Sequence, residues 1–340
     1  MPLLALFLGA QRSRLFLIAL VVLALASSGC VEFEKETIVA VVDPENNGAR
    51  ILLVYEALHS DANQGNQSGL ASDLAELDQL FKVRESFYCG HPLLRVDLQE
   101  AKTPVFPKKS DDLNEKLRVL LCEHVSIRTA GFFVSRQGKL CGFQTLRVRH
   151  LRKFVRGLNE WMSELFAAQI KDARGDPKKF GREWDLKSML AMEQAAKDHF
   201  PWLRVEPGRI SFTLLGSQDF LIRIKRDVLS PLVTQEPAND KTGPALPKAE
   251  EILKRNKDLE RGLRLLSESA LSLDHRRDRM TFSLGLGDGE PIRLAADYGV
   301  LGPRPCDGRL LDHARKVSGD LRRNVDVETL ITEFLHPAEN

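Results

Sequence analysis

Residues 125–149 read VSIRTAGFFVSRQGKLCGFQTLRVR, and this stretch decides the fold class. Apolar and β-branched residues fill both arms of the stretch, and Gln137-Gly138 between them is a turn signal. The pattern predicts a β-hairpin with strands Val125–Ser135 and Lys139–Arg149. A helix over Leu151–Ala173 is predicted next, because apolar residues recur there close to the 3.6-residue helical period.

The same order of hairpin and helix recurs on both sides of this stretch. Before it, we predict a hairpin of Thr37–Val42 with Ala49–Ala57, turning at Asp43–Gly48, and then a helix near Ala71–Lys82. After it, the predicted helices are Trp184–Phe200, Lys248–Ser272, Arg309–Arg322 and Val325–Leu335, and the predicted hairpins are Arg209–Arg226 and Arg279–Leu286 with Pro291–Asp297. Hairpins pair neighbouring strands antiparallel. The sequence therefore predicts an α+β fold with a largely antiparallel sheet built from β-hairpins with intervening amphipathic helices.

Composition separates the chain into segments of different character. Residues 1–29 are expected to be a signal peptide, residues 30–36 an anchor with a short tether, and residues 37–229 an α+β domain. The Pro-rich residues 230–248 are interpreted as a linker or loop. Residues 249–340 are then a C-terminal helix-hairpin-helix part, either packed on the same domain or separate from it.

The charge balance argues against a nucleic-acid partner. The 340 residues include 49 basic and 47 acidic side chains, and two of the basic ones, Arg12 and Arg14, lie in the predicted signal peptide. Removing those two leaves 47 basic against 47 acidic residues. Proteins that bind nucleic acid usually carry a basic excess, because phosphate neutralisation dominates their affinity.

The N-terminal segment has the pattern of an export signal. Leu15–Ala26 (LFLIALVVLALA) contains no polar side chain, and it is shorter than the roughly 20 residues that span a bilayer as a helix. The following Ala26-Ser27-Ser28-Gly29-Cys30 resembles the lipobox of bacterial lipoprotein precursors, although Ser27 stands where Leu is commonest.

That resemblance implies that Cys30 becomes the N-terminus and receives a diacylglyceryl thioether and an amide-linked acyl chain such as palmitate. It implies a protein of the cell envelope, fixed by lipid on the extracytoplasmic side of a membrane. Val31 follows Cys30, where Asp commonly signals retention at the inner membrane, so an outer membrane is favoured in a Gram-negative host. The alternatives are an ordinary cleaved signal peptide and an uncleaved signal anchor.

The remaining cysteines permit two interpretations. Cys89, Cys122, Cys141 and Cys306 form an even set, and in an oxidising compartment we expect disulfides or buried thiols, with Cys89–Cys122 the preferred pairing of the three arrangements that exist. The alternative is zinc held by Cys89, His91, Cys122 and His124. On extended backbone the two residues of each Cys-x-His pair would face the same way. No metal and no cofactor is favoured.

Known catalytic motifs are missing from the sequence, including Gly-x-Ser-x-Gly and His-Glu-x-x-His. The basic run at Arg147–Arg156 is interpreted as a solvated face, with contact to anionic headgroups as the alternative.

The leading hypothesis is a non-catalytic envelope lipoprotein that binds an envelope protein, lipid or wall partner or serves structurally. An exported hydrolase, a zinc protein and a small-ligand carrier with a cleft between sheet and helices are the alternatives.

Overall fold

The computed structural model describes eight ranges of the chain, and strands and helices are numbered here along the sequence. The described residues are 31–43, 46–60, 67–88, 95–98, 113–175, 185–224, 271–298 and 307–337. The predicted signal peptide, Cys30 and the Pro-rich residues 230–248 lie outside them.

A six-stranded sheet forms the centre of the described structure. Its strands in spatial order are β13 (Ile292–Asp297), β2 (Lys35–Asp43), β3 (Gly48–Glu56), β8 (Leu140–Val148), β7 (Val125–Val134) and β14 (Arg322–Arg323). Neighbours pair antiparallel except β14 and β7, which pair parallel. The α+β fold with antiparallel sheets is therefore confirmed, and both the β2–β3 and the β7–β8 hairpins lie where the sequence predicts them.

A four-stranded antiparallel sheet lies beside it. Its strands in spatial order are β11 (Leu271–His275), β12 (Arg279–Leu284), β10 (Arg209–Leu215) and β9 (Leu203–Glu206). Two short antiparallel pairs complete the described strands: β1 (Val31–Glu32) with β4 (His59–Ser60), and β5 (Ser86–Tyr88) with β6 (Arg95–Asp97).

The helices cover the two faces of the central sheet unequally. The described helices are α1 (Gln67–Leu77), continued by a π-helical segment Asp78–Val83, then α2 (Leu113–His124), α3 (Leu151–Gly175), α4 (Leu186–Lys197), α5 (Gln218–Ile224), α6 (Asp307–Ser318) and α7 (Val327–Leu335). The large core on one face includes Leu53, Leu146 and Phe166, and the smaller core on the other face joins Val39, Leu52 and Val54 to α7. None of the helices in the described ranges is both long enough and apolar enough to cross a membrane.

Helix α3 begins where the β2–β3 turn supplies its missing hydrogen-bond partners. The first amides of a helix have no partner within the helix. Here Asn47 provides two of them, because its backbone oxygen accepts from the amide of Leu151 at 2.8 Å and its Oδ1 accepts from the amide of Arg152 at 2.9 Å. The hairpin turn thus fixes both the start and the direction of the longest described helix.

The predicted hairpin Arg209–Arg226 is wrong in its second half. Ser217 caps a helix instead of forming a turn, because its hydroxyl accepts from the amide of Phe220 at 3.2 Å, and α5 follows. Ser217 with Asp219 in the first turn is an N-cap signal that the hairpin interpretation overlooked. Strand β10 pairs with β9 and β12.

The predicted pairing of Arg279–Leu286 with Pro291–Asp297 is also wrong. Both strands exist, but β12 belongs to the four-stranded sheet and β13 pairs with β2 in the central sheet. The connecting glycines serve close packing: a Cβ added to Gly285 would lie 2.3 Å from the backbone oxygen of Gly208. The hairpin of this region is β11 with β12, so the helix predicted over Lys248–Ser272 does not extend through Leu271.

The N-terminal and C-terminal parts of the chain share both sheets. Strand β13 pairs with β2, and β12 pairs with β10, although each pair spans the Pro-rich residues 230–248. Residues 31–36, which the sequence assigned to a tether, are instead part of the folded body. Val31 and Phe33 are fully buried, and Glu32 pairs with His59 across β1 and β4.

Candidate binding groove and the buried polar end

The two ends of the central sheet differ in their polar chemistry. We call the end that contains β1 and the beginning of β2 the anchor end, because it adjoins Cys30 in sequence. The opposite end contains the β2–β3 turn and the beginning of α3, and we call it the groove end. Along the nine residues of β2 the two ends lie about 26 Å apart.

A buried carboxylate holds the first described residue at the anchor end. The amide of Val31 donates to Glu76 Oε2 at 3.0 Å, and the hydroxyl of Tyr88 donates to Glu76 Oε1. Glu76 is 5% exposed. A buried carboxylate is stable only when such donors replace the water that it has lost. The chain is therefore fixed to the body immediately after Cys30.

A second buried network lies beside the first. The hydroxyl of Tyr55 donates to Gln144 Oε1 at 3.0 Å, and Gln144 Nε2 donates to the backbone oxygens of Leu80 at 2.7 Å and Ser86 at 2.8 Å. Gln144 has no exposed surface. Ion pairs close the rim of this end: Lys139 with Glu34 at 2.6 Å and Lys35 with Asp297 at 3.2 Å.

Cys141 is a buried thiol in this structure, which is one of the two states expected for the cysteines of the body. Its Sγ donates to the backbone oxygen of Lys139 at 3.6 Å and accepts from the amide of Ala57 at 3.5 Å. Burial raises the pKa of the Cys141 thiol to about 12, so it stays protonated and unreactive near neutral pH. Cys89 and Cys306 lie outside the described residues, and a Cys89–Cys122 disulfide stays a prediction.

The geometry proposed for zinc is not formed at Cys122 and His124. Both residues lie on α2 and not on extended backbone, so their side chains do not share a face. Cys122 Sγ donates to the backbone oxygen of Leu98 at 3.3 Å, whereas His124 Nδ1 lies 3.1 Å from the backbone oxygen of Arg149. His91 lies outside the described ranges, and within those ranges no group of three or more potential metal ligands converges.

A groove of about 690 Å³ opens at the groove end, between α3, the β2–β3 turn and β9. This volume lies within the range of small-molecule sites, about 300–1,000 Å³. One wall is the face of α3 that carries Leu151, Val155 and Asn159, and the opposite wall is β9 with the residues that precede it. Its apolar lining residues are Val42, Leu151, Val155, Pro201, Leu203, Val205 and Pro207.

A reciprocal pair of hydrogen bonds joins the two walls of the groove. Asn159 Nδ2 donates to the backbone oxygen of Leu203 at 2.9 Å, and the amide of Leu203 donates to Asn159 Oδ1 at 2.7 Å. Deeper in, the indole nitrogen of Trp202 donates to Ser163 Oγ at 2.9 Å. These bonds hold β9 against α3, so the groove is preformed by the fold.

Basic side chains without carboxylate partners surround the mouth of the groove. Arg152, Arg156 and Arg204 line it, and Arg149 and Lys153 are neighbours of these residues in sequence. Within the described ranges, no carboxylate lies within 4.0 Å of the charged nitrogens of these five residues. On the same helix Arg174 does have such a partner, Glu193, at 2.6 Å. The three arginines of the groove lining therefore have no direct carboxylate partner among the described residues.

The basic run is visible in the sequence, whereas the groove is not. Arg204 and Asn47 come from segments far from α3 in sequence, and nothing in either segment signals that they meet the helix. The only local signal was the amphipathic pattern of α3, on which Leu151 and Val155 recur one turn apart beside the arginines.

Comparison of the chain with protein-family models, with curated proteins and with solved structures finds no match in any of the three.

Proposed function

We propose that the chain is a membrane-anchored envelope lipoprotein whose body has a non-catalytic binding role. The observation that carries the binding role is the preformed groove, with its apolar lining and with arginines that have no carboxylate partner among the described residues. The anchor rests on the lipobox-like Ala26–Cys30. Lipid on Cys30 together with an amide-linked acyl chain would hold the protein stably at a membrane, where a single chain binds only marginally.

The burial of Val31 supports a specific arrangement of the anchored protein. Because Val31 is fully buried, no flexible spacer separates Cys30 from the body. A lipid on Cys30 would then hold the anchor end of the sheet at the membrane surface. The groove would face away from that membrane, at the far end of β2.

The test is the intact mass and the membrane partition of the full chain, expressed in a bacterium with its own signal. Wild type is expected to gain the mass of a lipidated N-terminus and to sediment with membranes, whereas Cys30→Ser is expected to be unmodified and to lose the membrane association that depends on lipid. Ser28→Ala is the matched control, since it keeps a small residue in the motif and should behave as wild type. Unmodified wild type that remains in the aqueous fraction would disprove the anchor.

A further inference from the structure

We propose that the groove binds one anionic phospholipid, with the headgroup phosphate at the basic mouth and the upper part of an acyl chain on the apolar lining. This inference rests on the proposed binding role and names its ligand class. It does not depend on whether Cys30 carries lipid, because the groove lies at the opposite end of the sheet.

The position of the phosphate follows from the charges at the beginning of α3. Arg152 and Arg156 lie one turn apart on the groove face, and Arg204 lies on the opposite wall. The N-terminal end of a helix also carries a partial positive charge, so basic residues in its first turn are unfavourable without an anion. Arginine matches phosphate geometry with paired donors, which makes a phosphoryl group the fitting anion.

The acidic residues of the lining indicate the direction of the ligand. Glu160 lines the groove one turn beyond Arg156 and two turns, about 12 Å, beyond Arg152, so a phosphate is repelled from the part of α3 that follows Arg156. Glu206 lines the β9 wall and forms no ion pair with the groove arginines. The phosphate is therefore placed between Arg152 and Arg156 at the α3 wall.

The apolar lining favours a ligand that carries a hydrocarbon part as well as an anionic group. Val155 lies between the two arginines in sequence and lines the groove together with Leu203 and Val205. These side chains leave apolar surface in contact with water when the groove is empty, and an acyl chain would cover it. Inorganic phosphate would pair with the arginines but leave this apolar surface in contact with water. The phospholipid should therefore bind more tightly than inorganic phosphate.

Short-chain lipids, each kept below its own critical micelle concentration, are titrated into the full chain in neutral detergent. Native mass spectrometry then counts the lipid molecules that are bound. Dihexanoyl phosphatidylglycerol is expected to bind saturably at one site, at least tenfold more tightly than dihexanoyl phosphatidylcholine or inorganic phosphate. The double variant Arg152→Gln/Arg156→Gln should lose at least tenfold in affinity for the anionic lipid. Val155→Thr, which preserves shape, should weaken the lipid but leave phosphate unchanged.

The matched control is Lys171→Gln/Lys187→Gln, which removes two exposed charges away from the groove and should leave the affinity unchanged. Equal affinity for the two lipids, equal affinity for phosphate and lipid, or equal losses in the two double variants would each overturn the inference. The same spectra report the mass at Cys30, so failure of the anchor is distinguished from failure of the groove. Cys30→Ser should bind the lipid as wild type does.

Discussion

The anchor end and the groove end of one sheet differ in whether their charged side chains have partners. At the anchor end, the side chains of Glu76, Gln144 and Tyr55 are buried, and each forms hydrogen bonds inside the body. Glu76 accepts from the amide of Val31, and Gln144 accepts from Tyr55 and donates to Leu80. At the groove end, Arg152 and Arg156 are exposed one turn apart, and no carboxylate in the described part of the chain pairs with either of them. Polar groups of the first kind stabilise a specific fold, whereas clustered like charges at a helix N-terminus lower stability. The difference supports the binding role proposed for the groove end.

The largest expected effect comes from the segment next to Cys30. Phe33 has no exposed surface and packs against the rings of Tyr55 and Tyr298, with centroids 5.1 Å and 5.8 Å away. Phe33→Ala should lower the free energy of unfolding by about 3–5 kcal/mol, because it leaves a cavity in the core. Urea denaturation followed by circular dichroism measures this.

Leu286→Ala is the control for that substitution, since Leu286 is 74% exposed and its truncation should change stability by less than about 0.5 kcal/mol. Similar small effects at both positions would mean that residues 31–36 behave as the tether predicted from sequence.

Gln144→Leu should have the next largest effect, a loss of about 1–3 kcal/mol. The substitution removes the amide that donates to Leu80 and Ser86 and accepts from Tyr55, and buried polar groups without partners are costly. The exposed turn variant Gln137→Leu should be close to wild type in the same denaturation experiment. If the two variants are equally stable, the buried network does not stabilise the anchor end.

Asp326 offers a pH-dependent test of the paired charges near the anchor end. Hydrogen bonds from the Thr329 hydroxyl and amide, together with Arg136, hold the pKa of Asp326 below its ordinary value. Its ionised form therefore stabilises the fold above the ordinary aspartate pKa of about 4, and this contribution is lost as pH falls through the lowered value. Asp326→Ala should be less stable than wild type at pH 7, and the difference should shrink below pH 4.

Asp326→Asn keeps the helix cap without the charge. Its free energy of unfolding at pH 7 should therefore lie between those of wild type and Asp326→Ala. A difference between wild type and Asp326→Ala that stays constant from pH 7 to pH 3 would contradict the assigned role of the carboxylate.

The smallest expected effect is a gain in stability at the groove end. Arg152→Gln removes a positive charge from the first turn of α3 and should stabilise the protein by about 0.3–1 kcal/mol at low ionic strength. Salt should abolish the gain, since it screens exposed charges. Thermal midpoints at two salt concentrations test this, with Lys171→Gln, near the other end of the helix, expected to show no gain. A loss of stability in Arg152→Gln would mean that the arginine has a structural role.

Contiguous patterns in the sequence predicted the parts of the fold that are themselves contiguous. Strands β2 and β3 are joined by Asp43–Gly48, and β7 and β8 are joined by Gln137-Gly138, so one short window contains each hairpin with its turn. The α+β class followed from these hairpins. The predictions failed where partners are distant: β13 reaches back to β2, and the glycines before it permit close contact with Gly208.

The candidate site could be predicted only in part for the same reason. The run Arg149–Arg156 is visible in the sequence, and α3 was predicted to begin at Leu151, as observed. The groove also needs Leu203 and Arg204 from β9 and Asn47 from a turn. No local pattern in a single sequence reports that those segments meet, because the contact is formed by packing and not by periodicity.

The pairing of Ile38 with Leu294 also sets the order of events during synthesis. Strand β2 is made among the first residues of the body, yet its partner β13 emerges only after most of the chain is complete. Until then β2 has an open edge with unsatisfied backbone groups, which is a template for aggregation. Nascent and C-terminally truncated chains are therefore expected to be the forms of this protein most prone to aggregation, and closure of this edge is expected to be a late step of folding.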